Sequence, residues 1–245
     1  MNLVIIQAHM GSTRLPGKVM KKFCNKEVLL HVYDRCCRGA KVDKVVIATS
    51  LNKENDVIEE LCHKNGLDCF RGSENDVLDR YYECAKKYQP KIIIRVTSDC
   101  PLLEPKLIDF LVSNIEKDQV EFVEEEKGLL IGHGTDVFSM KALEKLKKNS
   151  FANKQKEHVI GYYLDNKNEF TSKTYPLGKD LEHLFRPYRL TLDTKEDYEL
   201  LNFLYTMFYK DGYADLKSII DYIDHNPEIL DINKCIQQKD YFQEN

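Results

Sequence analysis

The chain has 245 residues, 42% hydrophobic and 31% charged, which suits one large α/β domain and offers no apolar run long enough to cross a bilayer. A formal net charge of −4 excludes a generic nucleic-acid binder with a basic face, so any polyanionic ligand must be met by a local cationic cluster. The eight cysteines include no C-x-x-C pair and mostly have apolar neighbours, so they read as small buried hydrophobes in a reducing compartment, with the cytoplasm as the expected location.

Leu3-Val4-Ile5-Ile6 lacks the basic flank and cleavage site of a signal peptide and reads as a buried strand. It runs into Gln7-Ala8-His9-Met10-Gly11-Ser12-Thr13-Arg14-Leu15-Pro16-Gly17-Lys18, where Pro16 and Gly17 oppose any regular element. A strand followed by a Gly-rich basic loop and a helix is an anion-binding arrangement, because backbone N–H groups near Gly11 and Ser12 converge there. The P-loop pattern fails: five residues separate Gly11 from Gly17, and Val19 follows Lys18 where Ser or Thr is needed.

Val28, Leu29, Val32, Tyr33 and Cys36 recur at helical spacing. Lys44–Ser50 is apolar on both faces and reads as a central parallel strand; Val57, Ile58 and Leu61 mark a helix, and Asp68-Cys69-Phe70 a third strand. Alternation of this kind predicts a doubly wound, mostly parallel sheet of Rossmann type, whose ligands bind at the carboxyl ends of its strands. In Arg71-Gly72-Ser73-Glu74-Asn75-Asp76-Val77-Leu78-Asp79-Arg80, Asn75 or Asp76 is a helix N-cap. Arg71 and Arg80 are read as projecting into the cleft, with an i,i+4 pair of Asp76 and Arg80 as the structural alternative.

Strand four is Lys91-Ile92-Ile93-Ile94-Arg95-Val96-Thr97, followed by Ser98-Asp99-Cys100-Pro101. Asp99, just past a buried strand and before a turn, points into the crevice and is the first candidate metal ligand. Mg²⁺ takes one or two protein carboxylates and completes its shell with phosphate and water. Leu107, Ile108, Leu111, Val112 and Ile115 form the next helix, Val120–Val123 a half-exposed strand, and Glu124–Glu126 a solvated turn. Lys156-Glu157-His158-Val159 opens a helical stretch, in which His158 is either a packed residue or a ligand contact. Residues 170–187 carry strand-like pieces without a helix pattern. Arg189-Leu190-Thr191-Leu192-Asp193 reads as a strand ending at Asp193, and Thr194 with Asp197 as the cap of a helix with Leu200, Leu201 and Leu204. A helix through Leu216, Ile219, Ile220 and Ile223 and a polar, fraying tail complete the chain.

The loop from Ala8 to Lys18 resembles the A-R-x-x-S-x-R-L-P-G-K signature of nucleotidyltransferases that make activated sugars, specifically the SpsF-type cytidylyltransferases of spore-coat polysaccharide, cousins of the CMP-KDO synthetases. Three further strings follow in family order: Arg71–Tyr81 resembles R-G-S-x-x-D-V-L-x-R-Y, Arg95–Leu102 resembles R-x-T-G-D-C-P-L, and Arg189–Asp197 resembles R-x-T-x-D-T-x-E-D. His9 stands where the family usually has Arg, and Ser98 where it has Gly. The resemblance implies a single nucleotidyltransferase domain over 1–245, with 120–190 holding an inserted acceptor-side and dimerisation subdomain. It implies transfer of CMP from CTP to a sugar acid or to a sugar or polyol phosphate, with release of pyrophosphate, for cell-surface glycan synthesis.

On this resemblance Ala8, His9, Gly11, Ser12, Arg14, Lys18, Arg71, Asp76, Arg80 and Thr97 line the nucleotide site. Asp99 and Asp193 hold Mg²⁺, and with Arg14 and Lys18 form the catalytic set. Asp136, Glu157, His158 and Arg189 face the acceptor, and two subunits form a homodimer. A glycosyltransferase would instead use Asp-x-Asp, which the chain lacks. A relative that binds nucleotide without catalysis is the other alternative.

Overall fold

Strand β1 (Asn2–Gln7) is buried almost throughout because its residues serve two cores at once. Val4 and Ile6 point to one face and Leu3 and Ile5 to the other, the period of two that a pleated strand imposes. The structure, a computed structural model, describes residues 1–238 and 241–243. Of the polar tail expected at the end, residues 239–240 and 244–245 lie outside this range.

Six more strands build one sheet on β1: β2 (Lys44–Ser50), β3 (Cys69–Gly72), β4 (Ile92–Thr97), β5 (Phe122–Glu124), β6 (Thr135–Ser139) and β7 (Ser172–Thr174). Their order is β3-β2-β1-β4-β6-β5-β7. The first four strands are mutually parallel, whereas β6 runs antiparallel to both β4 and β5. Helices α1 (Val28–Cys37), α2 (Asp56–Lys64), α4 (Pro105–Asp118), α8 (Lys195–Phe208) and α9 (Leu216–His225) cover the face of Val4 and Ile6. On the opposite face lie α3 (Val77–Tyr88), α5 (Met140–Asn149), the short α6 (Asn153–Glu157) and α7 (Gly161–Asp165). The expected doubly wound, mostly parallel sheet is present. Since β2 and β4 flank β1, the strand order reverses beside β1, and a crevice opens at the carboxyl ends of β1 and β4.

The segment 120–190 enters the central sheet through β5, β6 and β7. Three local expectations fail there and beyond. Glu124–Glu126 is no solvated turn: Glu124 closes β5, Glu125 is half-buried 3.0 Å from His133, and Glu126 accepts a hydrogen bond from Leu177 N. The 156–159 string closes α6 rather than opening a helix, since His158 is its C-cap and Val159 takes a left-handed φ of 54°. Arg189–Asp193 makes a single bridge, from Arg189 to Ile131, in place of a strand.

Candidate active site

The loop after β1 is folded on its own backbone. Ser12 N and Gly17 N both donate to Met10 O, at 3.0 and 3.1 Å, and Gly17 sits at φ 65°, the region glycine enters without strain. Leu15 is buried and pins the loop to the core. Asn55, fully buried just before α2, fixes its start: Asn55 Oδ1 accepts from Met10 N at 2.8 Å, while Asn55 Nδ2 donates to Ser50 Oγ at 2.8 Å and to Glu74 Oε2 at 3.4 Å. Sequence reasoning missed Asn55, because it marks no motif and acts across 45 residues.

Lys18 leaves this loop at the start of a short 3-10 turn and runs inward. Its ammonium donates to Asp99 Oδ2 at 2.7 Å and to Asp193 Oδ1 at 2.8 Å. The two carboxylates, 94 positions apart, therefore converge on one cation at the end of β4. Two hydrogen bonds to the Asp99 carbonyl join the segments: Leu192 N at 2.8 Å and Thr191 Oγ1 at 3.1 Å. The other oxygen of Asp193 receives Arg189 Nη2 at 2.8 Å and Arg14 Nη2 at 3.2 Å. Burial alone would lower the Lys18 pKa, but attraction to Asp99 and Asp193 outweighs it and holds the ammonium charged. Burial would raise the Asp99 pKa, and here Lys18, with a hydrogen bond from Thr97, outweighs it and keeps the carboxyl below its usual range.

The neighbouring floor is equally tight. Thr97 Oγ1 lies 3.4 Å from Cys100 Sγ, and Gly134, at φ 46°, lies so close that a Cβ there would meet Cys100 Sγ at 2.5 Å. Ser98 is not among the residues at positive φ, so its departure from Gly places no strain on the turn.

Beside the loop, a cavity of about 670 Å³ is lined by Gln7, His9, Glu74, Asn75, Arg80 and Glu157, with Val77 and Asn153 completing the wall. Burial first, then the charge of Lys18, lowers the His9 pKa, so His9 is a neutral hydrogen-bonding group and the loop's cations are Arg14 and Lys18. Arg80 is 3% exposed and donates from Nη1 to Ser73 O at 2.8 Å, while its Nε has no protein partner.

Several of the other expected site residues go elsewhere. Arg71 does not reach the cavity. It lies beside Thr49 on the α2 face of the sheet, where Nη1 meets Asp56 at 2.8 Å and Glu59 at 2.7 Å. Asp76 is the cap of α3, accepting from Asp79 N at 2.7 Å, and its other oxygen lies 3.6 Å from Lys147. Ala8 is fully buried and binds backbone to Ala48. Asp136 pairs with Arg95 directly across β4 and β6, at 2.6 Å. His158 packs edge-on against Tyr241, away from the cavity lining. Glu157 shares its cavity with His9 and Arg80, and Arg189 is buried against Asp193 and Asp197. Gln7, Glu74 and Asn153 line the cavity without having been marked in the sequence. Gln7 alone carried a signal there, as the last residue of the opening strand.

Among the described residues no group of three or more His, Cys, Asp or Glu forms a metal site. A pair of carboxylates nevertheless suits a hard divalent cation that draws its remaining ligands from phosphate and water, and the Lys18 ammonium already stands in a cation's place between them. The described residues also contain no helix long and apolar enough to cross a membrane.

Comparison with known proteins shows the family. Residues 3–232 match the cytidylyltransferase family. An uncharacterized protein of Methanocaldococcus jannaschii is 40% identical, over 97% of this chain and 96% of its own length. The spore coat polysaccharide biosynthesis protein SpsF of Bacillus subtilis is 32% identical, over 92% of this chain and 95% of its own. The solved structure of a cytidylyltransferase from Leptospira borgpetersenii superposes with a TM-score of 0.86 at 34% identity, covering 97% of this chain and 99% of that one. The chain therefore belongs to the cytidylyltransferase family and is a CTP-dependent nucleotidyltransferase.

Proposed function

We propose that the chain transfers CMP from CTP to an oxygen of a sugar acid, or of a sugar or polyol phosphate, and releases pyrophosphate. The observation that carries this reading is the meeting of Asp99 and Asp193 on one cation beside the loop after β1. The acceptor oxygen attacks the α-phosphorus in line, the bond to the β-phosphate oxygen breaks, and the acceptor proton passes to solvent. Such chemistry depends on position and on charge stabilisation rather than on a covalent nucleophile.

In this reading the loop amides near Gly11 and Ser12, with Arg14 and Lys18, hold the departing phosphates. His9, Arg80 and Glu157 belong to the wall of the nucleoside cavity, and Thr97 supports Asp99. Asp99 and Asp193 would hold Mg²⁺, which supplies Lewis-acid stabilisation of the charge at the α-phosphate. Arg189 orients Asp193. The reading includes a cytoplasmic homodimer formed through 120–190, and a place in cell-surface glycan synthesis, which the role of the B. subtilis relative in spore coat polysaccharide biosynthesis supports.

The test is pyrophosphate release from CTP and Mg²⁺ with a panel of acidic sugars and sugar phosphates. Pyrophosphate with one acceptor class supports the reading. A nucleoside diphosphate product, or binding without turnover across the panel, overturns it. Light scattering measures the homodimer.

A further inference from the structure

The Lys18 ammonium lies between the carboxylates that the proposed function assigns to a divalent ion. Both contacts are short, 2.7 and 2.8 Å, and the residue is 6% exposed. An ion bound to the same two oxygens at about 2.0–2.1 Å would have to take the place of the ammonium, because two cations cannot share that position. The displaced ammonium would then need a new anion, since a buried cation stripped of its partner is strongly destabilising. Arg14 and Arg189 already occupy the outer oxygen of Asp193, so that carboxylate has no spare side to offer it.

We propose that Lys18 is a built-in counter-cation that excludes the divalent ion from Asp99 and Asp193 until a triphosphate arrives to take over the ammonium. Resting on the proposed metal role of those two residues, it adds an order of events. Nucleotide and ion enter together, Lys18 swings from the carboxylates to the phosphates, and the free enzyme holds the ion weakly. The arrangement also keeps two like charges from facing each other bare.

The test measures Mn²⁺ binding to the full chain without nucleotide, by the loss of the free-ion resonance signal. Three proteins are compared: wild type, Lys18→Met and Arg14→Met. Both variants remove one positive charge near Asp193, but only Lys18→Met vacates the position between the carboxylates. The expected result is an affinity gain of about tenfold or more for Lys18→Met, a size typical of coupled sites, and a much smaller gain for Arg14→Met. Equal gains would reduce the effect to general electrostatics, and no gain for Lys18→Met would also overturn the proposal. Adding Asp99→Asn to Lys18→Met separates the two layers: if Mn²⁺ still binds as tightly, the ion is not at Asp99 and the underlying reading fails. Should Lys18→Met not fold, as judged by circular dichroism, Lys18→Ala takes its place.

Discussion

Arg189 and Asp197 form a two-pronged pair with the carboxylate completely out of solvent: Nε lies 2.9 Å from Oδ1 and Nη2 lies 3.0 Å from Oδ2. Asp197 also accepts from Asp193 N, Thr194 N and Asn233 Nδ2, at 3.0, 3.1 and 2.9 Å. Burial would raise its pKa, but the Arg189 and Asn233 hydrogen bonds outweigh it and hold the carboxyl below the usual range. The pair does more than cap α8: it fixes the backbone of Asp193 and the guanidinium that touches it.

Asp197→Asn therefore puts an amide, itself a donor, among five N–H donors. Breaking a buried pair in this way should lower stability by about 3 kcal/mol or more. Urea denaturation measures it. A change under about 0.5 kcal/mol, the range of ordinary surface substitutions, would show that the network is not structural.

At the carboxylates, Asp99→Asn and Lys18→Ala should each lower turnover by about 100-fold or more, the size seen when one charge-stabilising group is lost from an active site. Melting temperatures should show both proteins folded. Near-normal pyrophosphate release from both would remove these residues from the catalytic set.

Asn55→Ala leaves Met10 N–H without its partner, while Ser50 Oγ keeps the hydrogen bond from Asn52 N. A stranded buried N–H costs about 1–3 kcal/mol, and the loop loses its anchor. CTP affinity, read by calorimetry, should weaken severalfold. Unchanged affinity in a folded variant would mean that the loop holds its shape without Asn55.

His31 is buried against Tyr205, with Nε2 3.0 Å from Phe23 O. Burial lowers its pKa to about 4, and the Phe23 carbonyl only partly opposes that. The unfolded chain, with its imidazole near about 6.5, binds the proton more readily between these values. This group's contribution to stability is thus complete above about pH 6.5 and is lost as pH falls toward 4, in all about 3 kcal/mol. Urea midpoints at pH 7 and pH 5 should diverge for wild type and converge for His31→Gln. Equal slopes for the two proteins would rule the effect out.

What the sequence by itself determined is what short-range periodicity and turn chemistry encode. Apolar runs at Leu3–Ile6, Lys44–Ser50 and Ile92–Thr97 became parallel neighbours, because strands apolar on both faces must lie inside a sheet. Thr194 and Asp197 made the expected cap, since that interaction spans only three residues. Lys18 and Asp99 were legible because each follows a strand whose carboxyl end opens on the crevice.

Only the tertiary structure decided how distant side chains use their charges. Arg71 and Arg80 carry the same charge within one motif, yet Arg71 sits on the sheet face that meets Asp56 and Glu59 while Arg80 reaches the cavity. Glu125 sat in an acidic run that read as solvated, and its partner His133 came from the far side of a loop. Asn55, Glu74 and Asn153 were silent in sequence, because nothing local tells a buried amide or a wall carboxylate from its solvated counterpart. Whether Asp193 meets Lys18 across 175 residues is a matter of long-range packing, set by the hydrogen bonds from the Thr191 hydroxyl and Leu192 N to the Asp99 carbonyl rather than by any spacing along the chain.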